Sequence, residues 1–256
     1  MASDGINPDT GKHFTEYIDL ESWADKFIVE EITRNNAGGI TSSYFYKPED
    51  SISTKIYGGP VWDYDKALAR ISNFDSDTDN LGFMGYHLGR NTTLFYYLYQ
   101  HEEFVEMVKK EYEEKFSGYL LTMAEEKIDE YVSLITDSNA LDMIRCYGDY
   151  MSNTDSVGVE WESDVEVIRS FILDRKEFLD RIWIDDEPIC TVTFVDDEGS
   201  LLYFLAVIEG ECLESLPPGS ADSDKYTQAT WVIEGTDEYL TTGTSIYEDM
   251  TVVLVE

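Results

Sequence analysis

Apolar residues recur three and four apart along most of the first 185 positions and two apart after Pro188. That change of period predicts a helical part followed by a β-rich part. Asp19 can cap a helix whose apolar residues Leu20, Trp23, Ala24, Phe27, Ile28 and Ile32 share one face. The run Asn35-Asn36-Ala37-Gly38-Gly39 predicts its end, since Asn and Gly tolerate the left-handed conformation. Strand-like runs at 43–46 and 55–57, either side of Lys47-Pro48-Glu49-Asp50, predict a hairpin. Helical spacing resumes at about 91–100, 102–117 and 119–136. Ser163-Asp164-Val165-Glu166 has the spacing of a capping box and predicts a helix start, with Val165, Ile168, Ile172, Arg175, Leu179 and Ile182 on related faces.

Beyond Pro188, Cys190, Val192 and Phe194 alternate with Thr191, Thr193 and Val195. Asp196-Asp197-Glu198-Gly199 predicts a turn, residues 201–208 a second strand, and residues 250–255 a last one. Pro217-Pro218-Gly219 and Gly235-Thr236-Asp237 punctuate the segments between. The pattern is that of an α+β chain with about four strands in its final part. The longest apolar run, 201–208, is eight residues, whereas a membrane-spanning helix needs about 20. Met1-Ala2-Ser3-Asp4 lacks the basic start and apolar stretch of a signal peptide.

Charge narrows the function classes. With 18 basic and 53 acidic residues, the net charge of the 256-residue chain is 18 − 53 = −35. Such a surface repels phosphate backbones and anionic membranes, which excludes nucleic acid as a partner. Hydrophobic residues at 43% and aromatics at 14% supply a packed core, which excludes a disordered chain. Residues 1–185 carry 17 basic and 37 acidic side chains, and residues 186–256 carry one and 16, so both parts are acidic. Cys146, Cys190 and Cys212 are too few and too scattered for a disulfide framework or a metal knuckle.

No phosphate-binding glycine loop and no nucleophile elbow is present, and His13, His87 and His101 lack metal-ligand spacing. Two acidic groups remain. Asp75, Asp77 and Asp79 match the opening of a calcium loop, but Asn80 and Tyr86 stand where its Gly and bidentate Glu belong. Asp63 and Asp65, in Gly59-Pro60-Val61-Trp62-Asp63-Tyr64-Asp65, would face one side of an extended segment. A carboxylate pair of that kind suits magnesium held against phosphate oxygens; the competing reading is that the two side chains cap residues 66–70.

The Gly59-Pro60-Val61-Trp62-Asp63-Tyr64-Asp65 run resembles the signature of the CotH kinase family, the spore coat protein H-like proteins. Further landmarks resemble it in order: the stretch at 17–25, Glu31 and Asn35, the Ser-Ser-Tyr-Phe-Tyr-Lys at 42–47, the run 94–116 with Glu103, Phe104 and Tyr112, and the closing helix at 168–179. The resemblance covers about residues 13–185 and implies a mainly helical, kinase-like C-terminal lobe with a short β-hairpin. It also implies a secreted or coat-associated bacterial protein kinase, extracellular or at the cell surface. Such an enzyme moves the γ-phosphoryl group of ATP onto hydroxyls of a protein substrate. Magnesium and ATP are the cofactors implied for the intact parent, with Asp63 as magnesium ligand and Asp65 as second ligand or orienter; calcium at Asp75, Asp77 and Asp79 is the weaker alternative.

Three departures bear on activity. Ala37 stands where the family has its catalytic Asp, next to Asn35 and Asn36, and neither an Ala nor an Asn accepts a proton at neutral pH. Ser43 stands where some relatives have a metal-binding Asn, and Arg145-Cys146 where the family often has Arg-Trp. The family's ATP-binding lobe would precede residue 13, so residues 1–12 read as a starting segment or linker and the chain as a C-terminal piece of a longer protein. Two expectations follow: a kinase inactive as this fragment, or an extracellular interaction scaffold that keeps the fold without the chemistry. Residues 186–256, with Thr191 to Gly199, Trp231 and Ser245 to Leu254, resemble a bacterial cell-surface repeat of the internalin B-repeat type, which implies a small β-grasp-like domain.

Overall fold

A computed structural model describes residues 4–35, 42–64, 67–68, 94–147, 154–213, 216–217 and 229–255. Helix α1 is Leu20–Thr33, and the Asp19 side chain accepts a hydrogen bond from the Ser22 amide at its start. The predicted cap is therefore present. The helix ends one residue early: Arg34, not Asn or Gly, takes the left-handed conformation, at φ 49°. The hairpin is β1, Phe45–Tyr46, antiparallel to β2, Tyr57–Gly58.

Helix α2 is Leu94–Leu98 and α3 is Glu102–Glu111. The chain then continues through a π-helical turn at Tyr112–Phe116, α4 at Ser117–Thr122, a second π-helical turn at Met123–Lys127, and α5 at Ile128–Tyr147. The break expected at Gly118 does not occur; a single glycine inside a long helix costs only about 1 kcal/mol, which packing overrides. Helix α6, Thr154–Trp183, corrects a second expectation. Ser163 lies inside it, so its capping-box spacing opens nothing. A Ser-x-x-Glu pattern needs non-helical backbone before it to act as a cap.

These helices bury one apolar cluster around Phe27, whose ring meets those of Phe95, Tyr99, Phe104 and Trp183 at centroid distances of 5.2–6.2 Å. Four strands follow: β3 Ile189–Val195, β4 Leu201–Ile208, β5 Thr230–Ile233 and β6 Met250–Val255. They form one sheet in the order β4-β3-β6-β5, with β3 and β6 parallel and the outer pairs antiparallel. Cys190, Val192 and Phe194 point into a second cluster with Trp231 and Val252, as the alternation predicts. The α+β class is thus the one observed. Ala206 of β4 belongs to the helical cluster, and Arg181 at the end of α6 bonds Glu187 and Glu211, so the sheet is seated on the helices. No helix among the described residues is long and apolar enough to cross a membrane.

Candidate active site at the end of the first helix

The segment from Ile56 to Leu68 is fastened to α1 at both ends. Near the helix start, the Asp19 amide donates to the Ile56 carbonyl (2.9 Å), as does Trp23 Nε1 (3.1 Å). The Gly58 amide donates to Ser22 Oγ at 3.1 Å. A Cβ on Gly58 would lie 2.8 Å from the Ser22 carbonyl oxygen, so only glycine allows this approach. Near the helix end, the Leu68 amide donates to the Thr33 carbonyl at 2.9 Å. Gly59, at φ 105°, turns the chain, and its amide donates to the Tyr44 carbonyl of the hairpin.

Between these fixings lies the Trp-Asp motif. Trp62 is 58% exposed and meets the Tyr44 ring edge-on at 5.5 Å. Asp63 is exposed, and its Oδ2 accepts a hydrogen bond from the buried Ser42 hydroxyl at 2.9 Å. Its backbone is left-handed, at φ 65°, rather than the extended conformation expected at this position. Asp is among the few residues that tolerate this conformation, and a turn here sends the chain back toward α1. Ser42 directly precedes Ser43, the position where some relatives have a metal-binding Asn. Asn36, Ala37, Asp65, Asp75, Asp77 and Asp79 lie outside the described residues.

Beneath the motif, α1 ends in buried charge. Lys26 and Glu30 pair at 3.0 Å, Arg175 of α6 pairs with Glu31 at 2.9 Å, and Arg34 and Asn35 are buried beside them. Arg175 Nε also donates to the Glu31 carbonyl at 2.8 Å, and the Asn35 amide to that of Glu30. The Arg175 bond reaches a carbonyl in the last turn, where the helix leaves such groups open, and the cations oppose the negative end of its dipole. Burial pulls the Arg175 pKa down to about 9; the Glu31 carboxylate pulls it back up and the Arg34 charge pushes it down again. It remains a cation at neutral pH. Tyr64 turns inward beside Glu30 and Asn35, and burial together with the Glu30 charge raises its pKa. Lys26, Arg34 and Arg175 are at most 4% exposed, so they support the site from below.

An exposed carboxylate with one oxygen held by a hydroxyl is a hard-oxygen donor on an open face. Magnesium is commonly bound by one or two carboxylates plus substrate phosphates, so this donor fits the ion. A second carboxylate group, Glu21, Asp25 and Glu111, does not fit one: Lys115 Nζ pairs with all three and already supplies the cation. His13 and His101 lie tilted against the Phe14 ring and hold no metal cluster among the described residues. All three cysteines are free. The Arg175 and Glu31 pairing was legible only as a charged residue on the apolar face of a helix; nothing in the chain pointed to Ser42 as the partner of Asp63.

Fold and site together define a helical α+β domain whose first helix carries a hairpin-borne Trp-Asp motif. The family model described as CotH kinase protein matches residues 4–179, well over half of the chain. The chain belongs to the CotH kinase protein family. No curated protein and no solved structure matches it.

Proposed function

We propose that the chain is the metal-binding part of a CotH-type phosphotransferase acting on protein hydroxyls with ATP, in which Asp63 is the magnesium ligand. The observation that carries this reading is the exposed Asp63 carboxylate, pinned by Ser42 and supported from below by the buried end of α1. A bound magnesium would join phosphate oxygens and offset their charge. Asp65 is its second ligand or orienter in this reading, and the calcium reading of Asp75, Asp77 and Asp79 is secondary. Ala37 favours a second reading, an extracellular interaction scaffold that keeps the fold and the metal donor without turnover. The order of the four-stranded sheet, with its first and last strands parallel in the middle, supports a β-grasp-like unit of the cell-surface repeat type.

The two readings separate in one assay. Transfer of labelled γ-phosphate from ATP and magnesium to dephosphorylated casein is followed for the chain, for Asp63→Ala and for Ala37→Asp. A phosphotransferase starved of its base gives little label as the chain stands, more with Ala37→Asp, and none with Asp63→Ala. Label in the chain and Asp63→Ala at the same level contradicts the assignment; no gain in Ala37→Asp leaves the scaffold reading.

A further inference from the structure

Helix α5 presents an apolar seam to solvent that belongs to neither apolar cluster among the described residues. Tyr131, Leu134, Ile135, Leu141 and Ile144 are all exposed, Leu134 at 70% and Leu141 at 68%. Positions 131, 134, 138, 141 and 145 are spaced three and four apart, which is the seam of a heptad pattern. Ser138 sits in its middle and Arg145 closes its end. On the flanking positions stand Glu130, Asp137 and Asp142, all exposed, with Glu130 paired to Lys127. Exposed leucines in mid-helix are unfavourable unless covered, and acidic flanks select the sign of what covers them.

We infer that this face of α5 docks a partner helix whose apolar seam is flanked by Lys and Arg. Charge complementarity decides the occupant. Acidic flanks accept basic ones across a helix pair, and the net charge of −35 attracts a cationic segment. A second copy would instead set acidic flanks against acidic flanks, which costs rather than gains. The docking does not depend on phosphoryl transfer, since among the described residues the hydrogen-bond partner of Asp63 is Ser42 and not a side chain of α5.

The probe is a synthetic three-heptad peptide with Leu on its seam and Lys on its flanks, compared with a scrambled peptide of the same composition. Binding to the full chain is read by fluorescence anisotropy at about 0.15 M salt, where loose attraction between exposed charges is screened. The patterned peptide binds and the scrambled one does not. The double variant Leu134→Ser/Leu141→Ser, with its helix content checked by circular dichroism, binds about tenfold more weakly. No binding, equal binding of the scrambled peptide, or equal binding by the double variant overturns the inference. So does a dimer in sedimentation that the double variant abolishes, which would assign the face to a second copy.

Discussion

Asp63 is held by three things of different kinds: the Ser42 hydroxyl on its carboxylate, the left-handed turn of its own backbone, and the inward Tyr64 that anchors the next position. The first is the easiest to remove without disturbing the others. Groups that orient a metal ligand typically change affinity by about 10- to 100-fold when lost. Ser42→Ala is accordingly expected to weaken magnesium binding about tenfold while leaving the melting temperature near that of the parent. Calorimetric titration with magnesium and a non-hydrolysable ATP analogue checks this; unchanged affinity would mean that Ser42 does not orient the carboxylate. The motif itself was readable from residue order, whereas its geometry was not. A positive φ at Asp63 depends on fixings to α1 that lie about 30 to 40 positions away in the chain, and local pattern carries no record of them.

At the scale of elements, the first helix and the sheet were legible because their signals are local. Asp19 before an apolar face gives α1, alternation gives β3 with the expected residues inward, and the apolar run at 201–208 gives β4. Ser163, and the division between the spans 102–117 and 119–136, misled for the same reason in reverse: each is a local start or stop that a long packed helix overrides. The pairing of α6 with α1 through Arg175 and Glu31 is the tertiary feature behind both α1's end and the site above it. Both side chains are 0% exposed. Glu31→Gln leaves the Arg175 charge buried without its carboxylate and is expected to destabilise by about 3–5 kcal/mol. The double replacement Glu31→Leu/Arg175→Met removes both charges and is expected to be less harmful than the single change. Chemical denaturation midpoints decide; a single variant as stable as the parent would show that the pair does not hold the helix end.

For the whole molecule, the acidic surface and the packed aromatics set how stability responds to pH. Burial raises the pKa of Tyr64, Tyr99 and Tyr112, with the neighbouring carboxylates Glu30, Glu31 and Asp180 adding to it. An unfolded tyrosine loses its proton near pH 10, while these three keep theirs in the fold. The unfolded state then binds fewer protons, so stability falls as pH rises above about 10. Arg175 acts in the opposite direction from about pH 9 upward, because its native pKa lies below its unfolded value. Three groups against one leave a net loss. Denaturation midpoints should drop as pH rises above about 10, and tyrosinate absorbance should show the last of the 18 tyrosines ionising only as the chain unfolds. Full ionisation with the fold intact would contradict the burial of these phenols. The same acidity, spread over helices and sheet alike, is background; the Asp63 carboxylate stands apart because it is exposed and held, and on that we propose it as the metal ligand.

The most direct test of that claim uses Mn²⁺ as a spectroscopic stand-in for magnesium. The free-ion electron paramagnetic resonance signal is followed while the chain, Asp63→Ala, and Asp75→Asn/Asp77→Asn/Asp79→Asn are titrated in the presence of a non-hydrolysable ATP analogue. Asp63→Ala is expected to bind at least about tenfold more weakly than the chain, with the triple variant unchanged. Equal binding by Asp63→Ala, or loss confined to the triple variant, would contradict Asp63 as the metal ligand.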